Sequence, residues 1–149
     1  MFFYPLALLI LLIDQYLKHL VTKSIPFGGV IPLLGNFLKL NYVRNTGAAF
    51  SLFIGFSPYL AVIGFLVVIV VIYLHYRFPP KNFLLQFGLA CLLGGSVGNL
   101  ADRLTRGYVV DYLDITILPV FNFADIMINF GVILIMFYLV ASSPKKGDV

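Results

Sequence analysis

Residues 58–76 read PYLAVIGFLVVIVVIYLHY, and they close a longer stretch, between Arg44 and Arg77, that holds no charged side chain. A helix needs about 20 predominantly apolar residues to cross a hydrocarbon layer about 30 Å thick, and this segment meets that length. It is a membrane span. After it comes Arg77-Phe-Pro-Pro-Lys81, where consecutive prolines cannot continue a helix and the chain must turn. Working outward, further spans are expected at about residues 82–101, 121–141 and 2–20. The first holds Asp14 and Lys18 but lacks a basic leader and a small-residue cleavage site, so it is expected to be retained rather than removed as a signal peptide.

Composition agrees. Of the 149 residues, 61% are hydrophobic and 11% charged, against about 25% charged in a soluble domain. An ordinary cytosolic protein and a disordered chain are both excluded. Four spans use about 80 residues and leave about 69, too few for a separate soluble domain in one stretch. The expected fold is a membrane α-helical four-helix bundle, residues 1–149 forming a single integral membrane domain.

Residues 23–57 are not a span. They contain Pro26, Gly28, Gly29, Pro32 and Gly35, then run Asn36-Phe-Leu-Lys-Leu-Asn-Tyr-Val-Arg44 with a period near two, and break at Asn45-Thr-Gly47. This is read as a small β-cradle folded over one end of the bundle, with Phe37, Leu38, Leu40 and Tyr42 at the membrane surface bounding a cleft. Gly47, Ala48 and Ala49 are small enough for close approach to a bound chain. Residues 102–120 form a second extramembrane connection, rich in Asp, with room for one helical turn.

Four spans place 23–57 and 102–120 on one side, and the termini with Arg77 and Lys81 on the other. Four Lys/Arg lie on the terminal side and six on the cradle side. A bare charge count would put the termini outside, but the difference is small and leaves orientation open.

The acids are more informative. There is no Glu; the six acids are Asp14, Asp102, Asp111, Asp114, Asp125 and Asp148. Five lie in or beside apolar runs, where an ionisable group must be paired, wet or functional. Asn122, Asp125 and Asn129 share one helical face, as do Gly95, Asn99 and Asp102, with Arg103 one step aside. Gly94 and Gly98 form a small-xxx-small pair that packs helices. Asp14 and Lys18 have the spacing of an intrahelical ion pair. Asp111, taken alone, reads equally as a structural residue, a helix cap or loop ligand, and as a functional acid. Pro119 lets the chain double back, however, so that Asp111 and Asp125 can meet. Two facing carboxyls in a site of low dielectric share a proton, one acting as base and the other as acid. Asp114 is a weaker candidate for the second acid. The single cysteine, Cys91, can form no internal disulfide, and no His or Cys cluster offers a metal site.

Five blocks, taken in order, resemble lipoprotein signal peptidase (signal peptidase II): Asp14-Gln-Tyr-Leu-Lys18, Val43-Arg-Asn-Thr-Gly-Ala-Ala-Phe-Ser51, Gly94-Gly-Ser-Val-Gly-Asn-Leu-Ala-Asp-Arg103, Val109-Val-Asp-Tyr-Leu-Asp114 and Phe121-Asn-Phe-Ala-Asp125. Each block is weak alone; the ordered set, over about residues 14–130, is specific. The resemblance implies an aspartic endopeptidase of the bacterial inner membrane, with cytoplasmic termini and an active site at the periplasmic or outer face. It implies four spans, a β-cradle and a short periplasmic helix. Its substrate would be a diacylglyceryl prolipoprotein, cut just before the lipidated cysteine. The catalytic pair carries over as Asp111 and Asp125. Asn45, Gly47, Asn99, Arg103 and Asn122 carry over as substrate-binding or supporting residues, and Asp14, Lys18 and Asp102 as structural or site-edge residues. Globomycin-type cyclic peptides would inhibit it; no cofactor, metal or nucleic acid is implied, and a monomer is expected. Tyr112 and Ile126 fall where such a family is expected to vary. Two other classes stay open on the residues alone: a proton-coupled transporter using the same acids as relays, and a non-catalytic subunit whose polar residues only pack helices.

Overall fold

A computed structural model of the chain describes residues 2–47, 57–77 and 82–142. Within them four helices are long and apolar enough to cross a membrane: α1 (Phe3–Ser24), α2 (Ser57–Arg77), α3 (Phe83–Arg106) and α4 (Phe123–Ala141). Three strands, β1 (Val30–Leu34), β2 (Leu38–Asn45) and β3 (Val109–Asp114), form one antiparallel sheet in the order β1-β2-β3. The expected four-helix membrane fold with a small β-cradle is therefore present.

The bundle is organised around α3. Its most apolar window is 72% buried, against 28%, 17% and 11% for α1, α2 and α4, so the other three helices pack around it and face outward. Small residues make this possible. A Cβ added at Gly95 would stand 2.5 Å from the carbonyl oxygen of Ala124 in α4, and one at Gly94 would stand 2.7 Å from that of Ala7 in α1. Both contacts are closer than any side chain permits, so the glycines set the interhelical distance. The outer surface carries exposed Leu9, Leu12, Phe65, Ile69, Ile133 and Phe137, the surface a helix presents to lipid.

Two helices run past their apolar stretches. α1 continues through Lys23 to Ser24, and α3 through Asp102 and Arg103 to Arg106, because backbone hydrogen bonding does not require apolar side chains once a helix is nucleated. α3 stops at Gly107, which takes the left-handed conformation (φ 79°) and donates its N–H to the Arg103 carbonyl.

The connection at 102–120 differs from expectation. Its described residues hold no helix beyond the end of α3; instead the chain enters β3, which pairs with β2 in the register Val43 with Asp111 and Asn45 with Val109. The helical turn of this segment is the end of α3, residues 102–106, and no separate helix follows it among the described residues. The reason is alternation. Val110 and Tyr112 point to one side and are buried with Val21, Ile25 and Tyr42, while Asp111 points to the other. Tyr42 is likewise corrected: only 4% exposed, it lies beneath the sheet rather than on a cleft rim, whereas Phe37 is exposed as expected. Ala48 and Ala49, the turn at 78–81, and Lys145, Lys146 and Asp148 lie outside the described residues.

Candidate active site

α4 begins with a reciprocal cap. The Asn122 side-chain oxygen accepts from the Asp125 N–H at 3.0 Å, and Asp125 Oδ2 accepts from the Asn122 N–H at 3.1 Å. An acid three residues after an Asn cap satisfies two otherwise unpaired donors, and it also fixes the Asp125 side chain at the positive end of the helix. This Asn-x-x-Asp spacing was legible in the sequence but was read there only as a shared face.

A buried cluster supports this corner. Asp14 and Lys18 pair as expected, Oδ2 to Nζ at 2.9 Å, and Lys18 also meets Asp102 Oδ2 at 3.0 Å; all three side chains are fully buried. Gly98 leaves the space, since a Cβ there would lie 2.5 Å from Asp14 Oδ2. Asp14 Oδ1 accepts the Ala124 N–H at 3.0 Å, tying α1 to the start of α4, and Asp102 Oδ2 accepts the Val110 N–H at 3.1 Å, tying α3 to β3. Gln15, which sequence reasoning passed over, donates to Asp14 Oδ2, the Gly98 carbonyl and Asp102 Oδ1 at 3.1, 3.2 and 3.4 Å. Its position beside Asp14 on the face toward α3 was the available signal.

From this cluster a chain of amides leads to the other two acids. Lys18 Nζ donates to Asn99 Oδ1 at 3.0 Å. An ammonium only donates, so the Asn99 oxygen must face it and the Asn99 amide nitrogen must face the other way. That nitrogen donates to Asp125 Oδ1 at 2.8 Å. Asn122 Nδ2 donates both to Asn99 Oδ1 at 3.1 Å and to Asp111 Oδ1 at 2.6 Å. The second Asp111 oxygen accepts from Asn45 Nδ2 at 2.8 Å, and Asn45 is itself oriented by the Gly47 N–H, which donates to its Oδ1 at 2.9 Å. Asp111 and Asp125 thus converge from β3 and α4, linked through two asparagines. Asp114 points elsewhere, accepting from Asn41 and the Thr116 N–H.

Both acids line one cavity of about 630 Å³, with Asn45, Asn99, Arg103 and Asn129 as the other polar residues and Phe121, Ile128 and Ile133 among the apolar walls. Burial, with the nearby Asp125 carboxyl second, pushes the Asp111 carboxyl up to about 7. Arg103 lies close enough to feel both acids but forms no ion pair with them, and its buried Nε has no hydrogen-bond partner. Its charge is therefore not compensated by an ion pair among the described residues. Of the residues assigned to the site, Asn45, Asn99, Arg103, Asp111 and Asp125 line this cavity and Asp14, Lys18 and Asp102 form the cluster behind it, while Asn122 and Gly47 do not line it and instead hydrogen-bond to Asp111 and to Asn45. Among the described residues no group of His, Cys, Asp and Glu could hold a metal ion.

Four helices long and apolar enough to span a membrane, with a polar-floored, apolar-walled cavity at one end, define an integral membrane protein with a candidate binding site. Comparison with known proteins narrows the class. The family model described as Signal peptidase (SPase) II matches residues 6–141, and the chain belongs to that family: it is a membrane protease of the signal peptidase II type. It is 42% identical to the lipoprotein signal peptidase of Moorella thermoacetica over 145 residues, 97% of each chain. The lipoprotein signal peptidase of Bacillus subtilis is 35% identical, over 98% of this chain and 97% of that one. Among solved structures, a bacterial membrane enzyme determined by the in meso method at 2.3 Å resolution superposes with a TM-score of 0.88 at 28% identity, over 97% of this chain and 90% of that one.

Proposed function

We propose that this protein removes the signal peptide from diacylglyceryl-modified prolipoproteins, cutting the peptide bond just before the lipidated cysteine, by an aspartate-dyad mechanism. The observation that carries the reading is the pairing of Asp111, whose burial holds its proton to about pH 7, with an Asp125 whose two oxygens both accept hydrogen bonds at a helix N-terminus. One is set up to donate a proton and the other to take one.

A water held between the two carboxyls loses a proton to Asp125 as its oxygen attacks the scissile carbonyl. Asp111 donates its proton to the developing oxyanion, giving a neutral tetrahedral diol. Collapse of the diol breaks the C–N bond, protonates the departing amine through the dyad and returns one shared proton to it. Nothing covalent forms with the enzyme. Arg103, and the cavity amides that do not already serve the acids, meet substrate carbonyls that would otherwise be unpaired in a dry site. The apolar walls suit a signal helix and acyl chains. The same reading places the cavity at the outer face of the bacterial inner membrane, with cytoplasmic termini.

The test uses purified protein in detergent with a diacylglyceryl prolipoprotein and with the same precursor lacking the lipid. Signal peptide release from the lipidated form alone is expected. Absence of cleavage, or equal cleavage of both forms, overturns the reading; a transporter or a packing subunit would cleave neither.

A further inference from the structure

Strand parity gives the sheet two unlike faces. Asn45 turns toward Asp111, but its neighbour Arg44 turns the other way, to the side where Tyr42, Val110 and Tyr112 pack on the end of α1. A second cavity of about 390 Å³ opens there, lined among others by Thr22, Phe27, Tyr42, Arg44, Arg106 and Tyr108, and no acid lines it.

Arg44 is held without a counter-ion. Its guanidinium carbon stands 4.7, 5.1 and 5.8 Å from the ring centres of Phe27, Tyr108 and Tyr42, its Nε donates to the Tyr42 hydroxyl at 3.3 Å, and no ion pair to it occurs among the described residues. Arg106, from the last turn of α3, comes to the same cavity. Its Nη1 is buried and ion-paired with Asp102 Oδ1 at 3.5 Å, which leaves its other guanidinium donors for the cavity. Two planar guanidinium forks, one fixed by a cage of rings, match the paired oxygens of a phosphate. The rest of the setting selects a lipid over a free ion. The wall at Thr22 belongs to the last turn of the membrane span α1, so the cavity lies where that span ends, at the level of lipid headgroups. The exposed Phe27 ring, against the Arg44 guanidinium, lines the same cavity and adds an apolar surface to it. A headgroup on the arginines would let its acyl chains run down α1.

We propose that this pocket binds the phosphodiester headgroup of one anionic phospholipid through Arg44 and Arg106, on the sheet face opposite Asp111. Occupancy tethers β2, the strand that holds Asn45 against Asp111, to the bilayer surface.

The experiment uses the full chain in detergent micelles doped with phosphatidylglycerol or phosphatidylcholine, and counts lipids retained per chain by native mass spectrometry. One phosphatidylglycerol is expected to be retained about tenfold more strongly than phosphatidylcholine, the weight of one charge-assisted fork. Arg44→Gln should abolish the preference. Arg44→Lys, which keeps the charge and loses only the fork and its stacking, should keep part of it. Equal retention of the two lipids by the wild-type chain overturns the proposal. So does an undiminished preference in Arg44→Gln. Displacement of the lipid by an equal concentration of inorganic phosphate would also overturn it, since that marks a free-anion site.

Discussion

Two groups of aspartates sit side by side at the cradle end of the bundle, and they are solved in opposite ways. Asp14 and Asp102 are fully buried, and their charge is met by Lys18 at 2.9 and 3.0 Å and by Arg106 at 3.5 Å. Asp111 and Asp125 are met by amides alone, from Asn45, Asn99 and Asn122, with Arg103 near but unpaired. Opposite charges offset part of the cost of burying a carboxylate and tie it to its partners, whereas neutral donors orient a carboxyl without adding a counter-charge. The first group therefore holds elements together, and the second is oriented without a counter-ion. Asn99 joins them, accepting from Lys18 and donating to Asp125. The ion-paired acids thereby orient the two cavity acids at one remove.

The sharpest way to break this comparison is to neutralise one acid of the uncompensated pair. Asp111→Asn and Asp125→Asn should each lower cleavage of a lipidated substrate by about 10³-fold or more, the range of general acid–base catalysis, while leaving a folded chain in the membrane fraction. Near-normal turnover by either variant would sink the dyad. Next in size comes Lys18→Met, which leaves two buried carboxylates facing each other. Breaking a buried pair from one side costs about 3–5 kcal/mol, so the loss should be read in thermal unfolding in detergent before it is read in kinetics. If Lys18→Met kept its melting temperature and lost only activity, the division into structural and reactive acids would be wrong.

How much of this division could be read from residues alone depended on whether it was local. The spans were legible because twenty apolar residues state their own requirement, and Asp14 with Lys18 was legible because the pair is one helical turn apart. β3 was not. Val109–Asp114 becomes a strand only because β2, more than sixty residues earlier, offers an edge to it, and a six-residue alternation carries too little signal to exclude a helical turn. Tyr42 was misplaced for the same reason, since which strand face is buried depends on α1 packing beneath it. Polar candidates in the site were found by type and spacing. Their wiring was not, because the donor Asn99 gives Asp125 is set by an ammonium 81 residues away.

The finest test of the uncompensated pair is Asn45. It donates to Asp111 Oδ2 at 2.8 Å and favours the ionised form, opposing the burial that raises this carboxyl to about 7. In the proposed mechanism the dyad holds one shared proton, so activity should fall as pH rises through about 7 and that proton is lost. Asn45→Ala removes a force that lowers the Asp111 pKa; the alkaline limb of kcat/KM should therefore move to higher pH. Its rate on the plateau should drop about tenfold, the weight of one hydrogen bond to a charged group. Cleavage of a lipidated substrate measured across pH in both proteins decides the point. A limb that stays in place while the rate drops would mean that Asn45 serves the substrate chain and not the acid, and the amides around Asp111 would then have to be divided between the two tasks.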